Sequence, residues 1–328
     1  MTKDAIEEIV ACLPEGRTPF YYFLDRYALM ILGLVVGDGM PIHVLKSSPY
    51  GKLLHKPIVK ELIGRVGSGI LTRSALESVW PHNSECYLLT LGTWGPKRRS
   101  RYGNWTHQYY QLSRPGLNLV LQLNFSSKHD RSYQSLIRPQ ARHPFEDRGH
   151  PIAAERDKRT LAWARMDIDL ETGTALIEEV QSDWVRLAMD RRTTLEVLTE
   201  DERGETTVQT AYMSAGYASR KTLKTYQERI LKPHLKVWDE AILSASIWFL
   251  RAELGIRRIY YHTFETGLQL KKMYGGRPPR SLYTTLPRRF GFQETDVAPA
   301  FLASIVEKRF PASAFRGATL PRFFLLDL

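Results

Sequence analysis

Residues 163–184 read WARMDIDLETGTALIEEVQSDW, and no other stretch constrains the fold as strongly. Thr172-Gly173 is a tight-turn signal between two apolar-rich runs, because glycine accepts the positive φ that short hairpin turns require. Met166, Ile168 and Leu170 alternate along the first run, and Ala175, Leu176 and Ile177 begin the second. The spacing predicts a β-hairpin. Its second strand closes on IEEVQSDW, and a strand ending in Glu178, Glu179, Gln181, Asp183 and Trp184 is costly to bury unless those groups find partners. By strand alternation Ile177, Glu179, Gln181 and Asp183 point one way, and Glu178, Val180 and Ser182 the other. One face then gathers two carboxylates and an amide. It carries either chemistry, with Glu179 or Asp183 as a general base toward an amine or hydroxyl, or a polar network tied to Arg165, Arg186 or a long helix.

The flanking sequence sorts into three regions. From Asp4 to about Gly69 the apolar spacing is helical: DAIEEIVACL, then PFYYFLDRYALMILGLVV stopped by GDG, then KPIVKELIGRV. Residues 1–84 are therefore expected to be a helical N-terminal region. Residues 85–150 change texture. CYLLTLGTWG is strand-like, and in GLNLVLQLNFS the residues Leu117, Leu119, Leu121 and Leu123 alternate with Asn118, Val120, Gln122 and Asn124. Between them lies a basic, aromatic excursion, KRRSRYGNWTHQYYQLSRPG. The loop RPQARHPFEDRGHP gives a soft boundary, and residues 151–328 continue as strand, helix, strand, helix, strand. Trp238, Ala241, Ile242, Ala245, Trp248 and Phe249 form a broad apolar helical stripe. This order gives an α/β (α+β) fold on a mixed sheet.

The formal net charge is +11. It is concentrated: residues 97–150 and 271–322 each hold 10 basic and 3 acidic side chains. Two basic segments favour nucleic acid or another phosphate-bearing partner, with Arg98, Arg99 and Arg101 in one and Arg277, Arg280, Arg288 and Arg289 in the other. Two cysteines, Cys12 and Cys86, are too few for a disulfide framework and suit a cytoplasmic protein. The apolar run Tyr27–Val36 is about half of the roughly 20 residues a spanning helix needs, so no membrane role is expected. No histidine spacing suggests a metal site. His262, Thr263 and Glu265 fall at the end of a predicted strand, where open α/β sheets place ligand crevices.

Two resemblances rest on these segments. ALIEEVQSDW, WDEAILSASIWFLRAELG, IRRIYYHT, GLQLKKMY, RRFGF and RFFLLDL together resemble the GNAT (N-acyltransferase) superfamily over about residues 160–328. EEVQSDW and GIRRIYYHTFETGLQLKKMY also resemble an uncharacterised module of large polyvalent proteins of phages and conjugative elements. The first resemblance implies a GNAT-like mixed sheet flanked by helices, and a transferase that moves an acyl or related small group. Tyr274 matches the position from which such enzymes protonate a leaving thiolate. Gln181, Ser182 and Trp184 would position the substrate, with His262, Thr263 and Glu265 nearby. The implied donor is acyl-CoA, although SDWVRLAMDRR lacks the glycine loop that lets backbone N–H groups reach a pyrophosphate. The alternative is a non-catalytic GNAT-like module binding nucleic acid or protein, linked to phage or mobile-element conflict.

Overall fold

In the computed structural model, an eight-stranded sheet runs through nearly the whole chain. The structure describes residues 1–11, 18–95, 111–139, 144–147, 149–153, 158–190, 220–273, 277–310 and 321–328. The strands are β1 (Thr18–Tyr22), β2 (Met40–Pro41), β3 (Ile70–Leu71), β4 (Glu85–Trp94), β5 (Asn118–Asn124), β6 (Thr160–Asp169), β7 (Thr174–Gln181), β8 (Arg258–His262), β9 (Gln293–Thr295) and β10 (Phe323–Asp327). The large sheet has the order β1-β4-β5-β6-β7-β8-β10-β9, while β2 and β3 pair separately. Every neighbour in it is antiparallel except β7 and β8, which run parallel. The protein is thus a mixed α/β fold with helices on both sheet faces.

The β6–β7 hairpin forms as its turn residues require. Gly173 takes a φ of +59°, and Thr172 Oγ1 donates to Asp169 Oδ2 at 2.8 Å across the turn. Alternation then divides the core. Leu119, Leu121 and Leu123 of β5 face the main core with Ala162, Ala164 and Met166 of β6. Val120 and Trp163 face the other side, where they join Trp94 and Leu112. Farther along that second face, Leu176, Tyr260 and Phe323 pack with Leu270, Leu302 and Val306.

The main face is covered by the helix Trp238–Trp248, which packs on β5, β6 and β7 and meets the helix Arg26–Val36 with its outer side. That double cover explains a helix buried nearly all round, Glu240 included. Glu240 accepts from Tyr22 Oη and the Asp25 backbone N–H, both at 3.2 Å, and pairs with Arg289.

The N-terminal region is mostly helical, with two departures: the short β2–β3 pair, and β1. PFYY is not the start of the second helix but lies in β1, the edge strand paired with β4. Asp25, at a φ of 63°, turns the chain before the helix begins at Arg26. Only Asp25-Arg26 interrupts the apolar run, and a helix tolerates two polar residues, so spacing alone does not mark that turn. No helix among the described residues is long and apolar enough to cross a membrane.

Candidate functional site

β7 departs from simple alternation. Arg165 pairs with Glu179 and Met166 with Ile177, so Glu178 is an extra, bulged residue. The bulge turns both glutamates away from the main core, keeps Gln181 with Glu179, and returns Val180 to the core beside Ile177. Strand alternation placed Glu178 with Val180 and Ile177 with Glu179, and the bulge corrects both. The parallel ladder with β8 ends at Ile177↔Tyr261 although β7 continues. The unpaired strand ends enclose a wedge.

Polar side chains fill it. Glu178 accepts from the Ser113 N–H at 3.1 Å and Ser113 Oγ at 2.7 Å, and its Oε2 lies 3.1 Å from His262 Nε2. Lys271 Nζ donates to the Glu178 carbonyl at 3.1 Å and to Tyr283 Oη at 3.2 Å, and stands 3.6 Å from Glu179 Oε2. Arg165 donates to Glu179 and stacks between Trp94 and Trp163, its Cζ 5.0 and 5.9 Å from the ring centres. Gly267 lets the helix Phe264–Leu270 close over His262, because a Cβ there would come within 3.1 Å of the histidine Cβ. All seven ionisable or hydroxyl groups, Ser113, Arg165, Glu178, Glu179, His262, Lys271 and Tyr283, are buried. Burial raises the Glu178 carboxyl, but the His262 hydrogen bond together with the nearby Lys271 and Arg165 charges brings it down to about 2. Glu179 is likewise lowered, by Lys271 and Arg165 against burial. Burial lowers His262 more than Glu178 raises it, so the ring is neutral. Two cations then face two carboxylates.

Beyond the wedge, the end of β7 reaches the loop carrying Asp147 and His150. Asp183 Oδ1 accepts from His150 Nδ1 at 2.8 Å, Gln181 Nε2 at 2.6 Å and Arg186 Nη2 at 2.8 Å, and Oδ2 accepts from Trp163 Nε1 at 3.1 Å. Burial opposes ionisation of Asp183, but His150, Arg186 and Trp163 together hold its carboxyl down at about 2. For His150 burial works downward, and the hydrogen bond and charge of Asp183 prevail, so its pKa is raised. The His150 ring packs edge-on to Trp163 and near Trp94, and its side chain remains 30% exposed. Its Nε2 has no protein partner among the described residues.

Asp147, His150 and Asp183 offer ligand atoms within 4.8 Å of one another. Their chemistry suits an internal ion network better than a metal. Arg186 Nη2 stands 2.8 Å from Asp183 and 3.5 Å from Asp147, so a guanidinium already bridges the two carboxylates where an ion would sit.

On the other side of β8 lies a cleft of about 740 Å³. Thr263, Glu265, Arg280, Tyr283, Arg288, Glu294, Arg322 and Phe324 are among its walls. Arg280 pairs with Glu265, while Arg288 and Arg322 both pair with Glu294.

The structure therefore divides the residues singled out from sequence. Glu179, Gln181, Asp183 and His262 converge around the splayed strands, and Thr263, Glu265, Arg280 and Arg288 meet in the cleft. Ser182 is the cap of the helix Asp183–Ala188, accepting from Val185 N–H at 3.0 Å and donating to the Leu161 carbonyl at 2.5 Å. Trp184 is fully buried among Phe125, Tyr133 and Phe145, with Nε1 donating to Tyr226 Oη at 2.7 Å. Arg289 leaves the basic group because the buried Glu240 draws it under the N-terminal helices. Arg277 is exposed and does not line the cleft. Tyr274, Arg98, Arg99 and Arg101 lie outside the described residues. Sequence reasoning missed His150, Ser113, Lys271 and Arg322 as site residues. Only the adjacent pair Glu178-Glu179 signalled them, since two buried carboxylates demand nearby cations.

No protein-family model, curated protein or solved structure matches the chain.

Proposed function

We propose that the chain is a GNAT-like transferase that moves an acyl or related small group onto a nucleic-acid or other phosphate-bearing substrate, with His150 as its general base. The observation that carries this reading is the 2.8 Å contact between His150 Nδ1 and a deeply held Asp183 carboxylate, on a ring whose side chain stays 30% exposed. A carboxylate behind Nδ1–H fixes the ring and its tautomer, and stabilises the charge the ring gains. Asp183 is too acidic to take the proton itself and acts through His150. Nε2 accepts the proton of the acceptor hydroxyl or amine as that atom bonds to the acyl carbon. The bond from carbon to the leaving group breaks, and the leaving group departs with the electron pair and is reprotonated from His150 or water. Trp163 and Trp94 beside the ring supply apolar walls for the group in transit.

The GNAT-like part of the reading is supported by the β6–β7 hairpin, the helical crossover to a parallel β8, and the return of β10 beside β8. Acyl-CoA is the implied donor, but the first turn after β7 carries the Asp183 carboxylate, which repels a pyrophosphate there. A CoA thioester should therefore be tested beside simpler acyl thioesters.

His150→Ala should lower transfer of a labelled acetyl group from such donors to RNA, DNA or nucleotides by 10²- to 10⁴-fold, on the usual scale for a lost general base. Its urea midpoint should fall only modestly, since Asp183 keeps Gln181, Arg186 and Trp163, and rates are compared where both proteins are folded. The rate should rise with pH through an apparent pKa above the ordinary histidine value, and Asp183→Asn should move that limb to lower pH. Equal transfer by parent and His150→Ala, or no transfer from any donor, sinks the mechanism. The latter result favours the second reading, a GNAT-like binding module, which the full saturation of Glu178 and Glu179 also supports.

A further inference from the structure

The geometry points to the cleft beside β8 as a phosphate-monoester subsite in which Arg288 and Arg322 grip the phosphate and Glu294 holds its place until it arrives. This rests on the reading of the acceptor as phosphate-bearing, and it identifies where that phosphate binds.

Arg288 and Arg322 come from different segments, the helix Thr285–Arg289 and the residue just before β10, yet their guanidiniums converge on opposite oxygens of one carboxylate. Two guanidiniums closing on a pair of oxygens is the arrangement that also captures phosphate, with stronger charge-assisted hydrogen bonds to a dianion. The arms are held in advance. The Arg322 backbone N–H donates to Thr266 Oγ1 at 3.1 Å, and its carbonyl accepts from Thr263 Oγ1 at 2.8 Å. The Arg288 guanidinium lies 5.5 Å over the Phe324 ring, and Arg280 lies 4.7 Å over Phe264. Three arginines thus face two carboxylates, Glu265 and Glu294, leaving the cleft positive. The arginine hydrogen bonds also keep Glu294 below the usual carboxylate range.

All three arginines are more than half exposed and Glu294 is 32% exposed, and pairs this open to solvent contribute little to stability. An incoming phosphate can therefore displace Glu294 at small cost. The cleft volume of about 740 Å³ suits a nucleotide-sized ligand. Because guanidiniums already cover the Phe264 and Phe324 faces, recognition falls on the phosphate and not on a stacked base.

The test is calorimetric titration of the full chain with 5′-AMP, adenosine, and matched single-stranded oligonucleotides bearing a 5′-phosphate or a 5′-hydroxyl. AMP and the 5′-phosphorylated strand should bind with an affinity that falls steeply with salt, while adenosine and the 5′-hydroxyl strand bind at least 10-fold more weakly. Arg288→Gln and Arg322→Gln should each weaken AMP binding at least 10-fold. Glu294→Gln should tighten it about 3-fold or more, because it removes the internal competitor; a merely structural Glu294 would give the opposite sign. Absent AMP binding, equal binding by the arginine variants, equal binding of the two strands, or weaker binding by Glu294→Gln each overturns the subsite. Phosphate binding without acyl transfer retains the subsite and discards the transferase. Transfer to acceptors without a phosphate, with no AMP binding, does the reverse.

Discussion

Glu179→Gln should destabilise the fold by about 3–5 kcal/mol, the usual loss when one partner of a buried ion pair is removed. Arg165 and Lys271 face Glu178 and Glu179 with no solvent to share the imbalance, since their side chains are 0% and 1% exposed. With glutamine at 179, two buried cations would face one carboxylate. Burial already lowers the pKa of Lys271, so it is the group that can release a proton to limit the damage. The loss should therefore grow as pH falls below the ordinary lysine range, where the unfolded chain keeps the proton that buried Lys271 gives up. Urea unfolding followed by tryptophan fluorescence measures this directly, and an unchanged slope would show that the midpoint shift reports stability. Adding Lys271→Met to Glu179→Gln restores charge balance and should recover part of the loss, a coupling visible in a double-mutant cycle. If Glu179→Gln melts with the parent and only activity disappears, the wedge is not an ion network and Glu179 regains its place as a base.

How much of this was legible in sequence depends on whether the signal was local. The β6–β7 hairpin was, because Thr172-Gly173 sits between alternating runs and the structure puts the turn there. The leucines of β5 were, because alternation and burial agree. β1 was not: Pro19, Phe20, Tyr21 and Tyr22 merge into the apolar run of the next helix, and the break rests on a positive φ at Asp25 that no glycine announces. Within IEEVQSDW, the grouping of Glu179, Gln181 and Asp183 was legible. The arrival of Glu178 on that side was not, because one bulged residue reverses the faces of everything after it. Arg165 and Arg186 were foreseen as partners of this segment, and they pair with Glu179 and Asp183. His150 and Ser113 reach the same strand from distant loops, a juxtaposition that only the tertiary fold creates.

Acid should unfold the protein early, beginning as pH drops below about 6.5. Beneath the helix Trp238–Trp248 side of the sheet, His129 stacks on Phe125 at 3.5 Å between ring centres, with the His234 ring 5.5 Å away. Their hydrogen bonds suit neutral rings. Trp184 Nε1 donates to Tyr226 Oη, which lies 3.0 Å from His129 Nε2 and can donate onward to it, while His129 Nδ1 faces Asp130. Tyr87 Oη is 2.8 Å from His234 Nδ1 and can donate in the same way. A proton added at either acceptor nitrogen turns a matched pair into two opposed donors. Burial lowers His129 to about 3, and burial together with the neighbouring His129 lowers His234 to about 3. In the unfolded chain both rings titrate near 6.5, so below that pH the unfolded state binds more protons than the native one. The stability they allow is intact above 6.5 and falls as pH approaches 3, at about 1.4 kcal/mol per pH unit for each ring. Two rings lose on the order of 5 kcal/mol between pH 6 and pH 4, comparable with the whole stability of many domains. Glu178 and Asp183, held near 2, add to the decline only below their unfolded values of about 4. The slope between pH 6.5 and 5 therefore reports histidines, with buried His262 adding to the fall and His150, raised by Asp183, opposing it. Urea midpoints measured across that window should drop steadily, and His234→Leu should flatten the drop. A flat profile down to pH 5 in the parent would show that the rings take protons in the folded state.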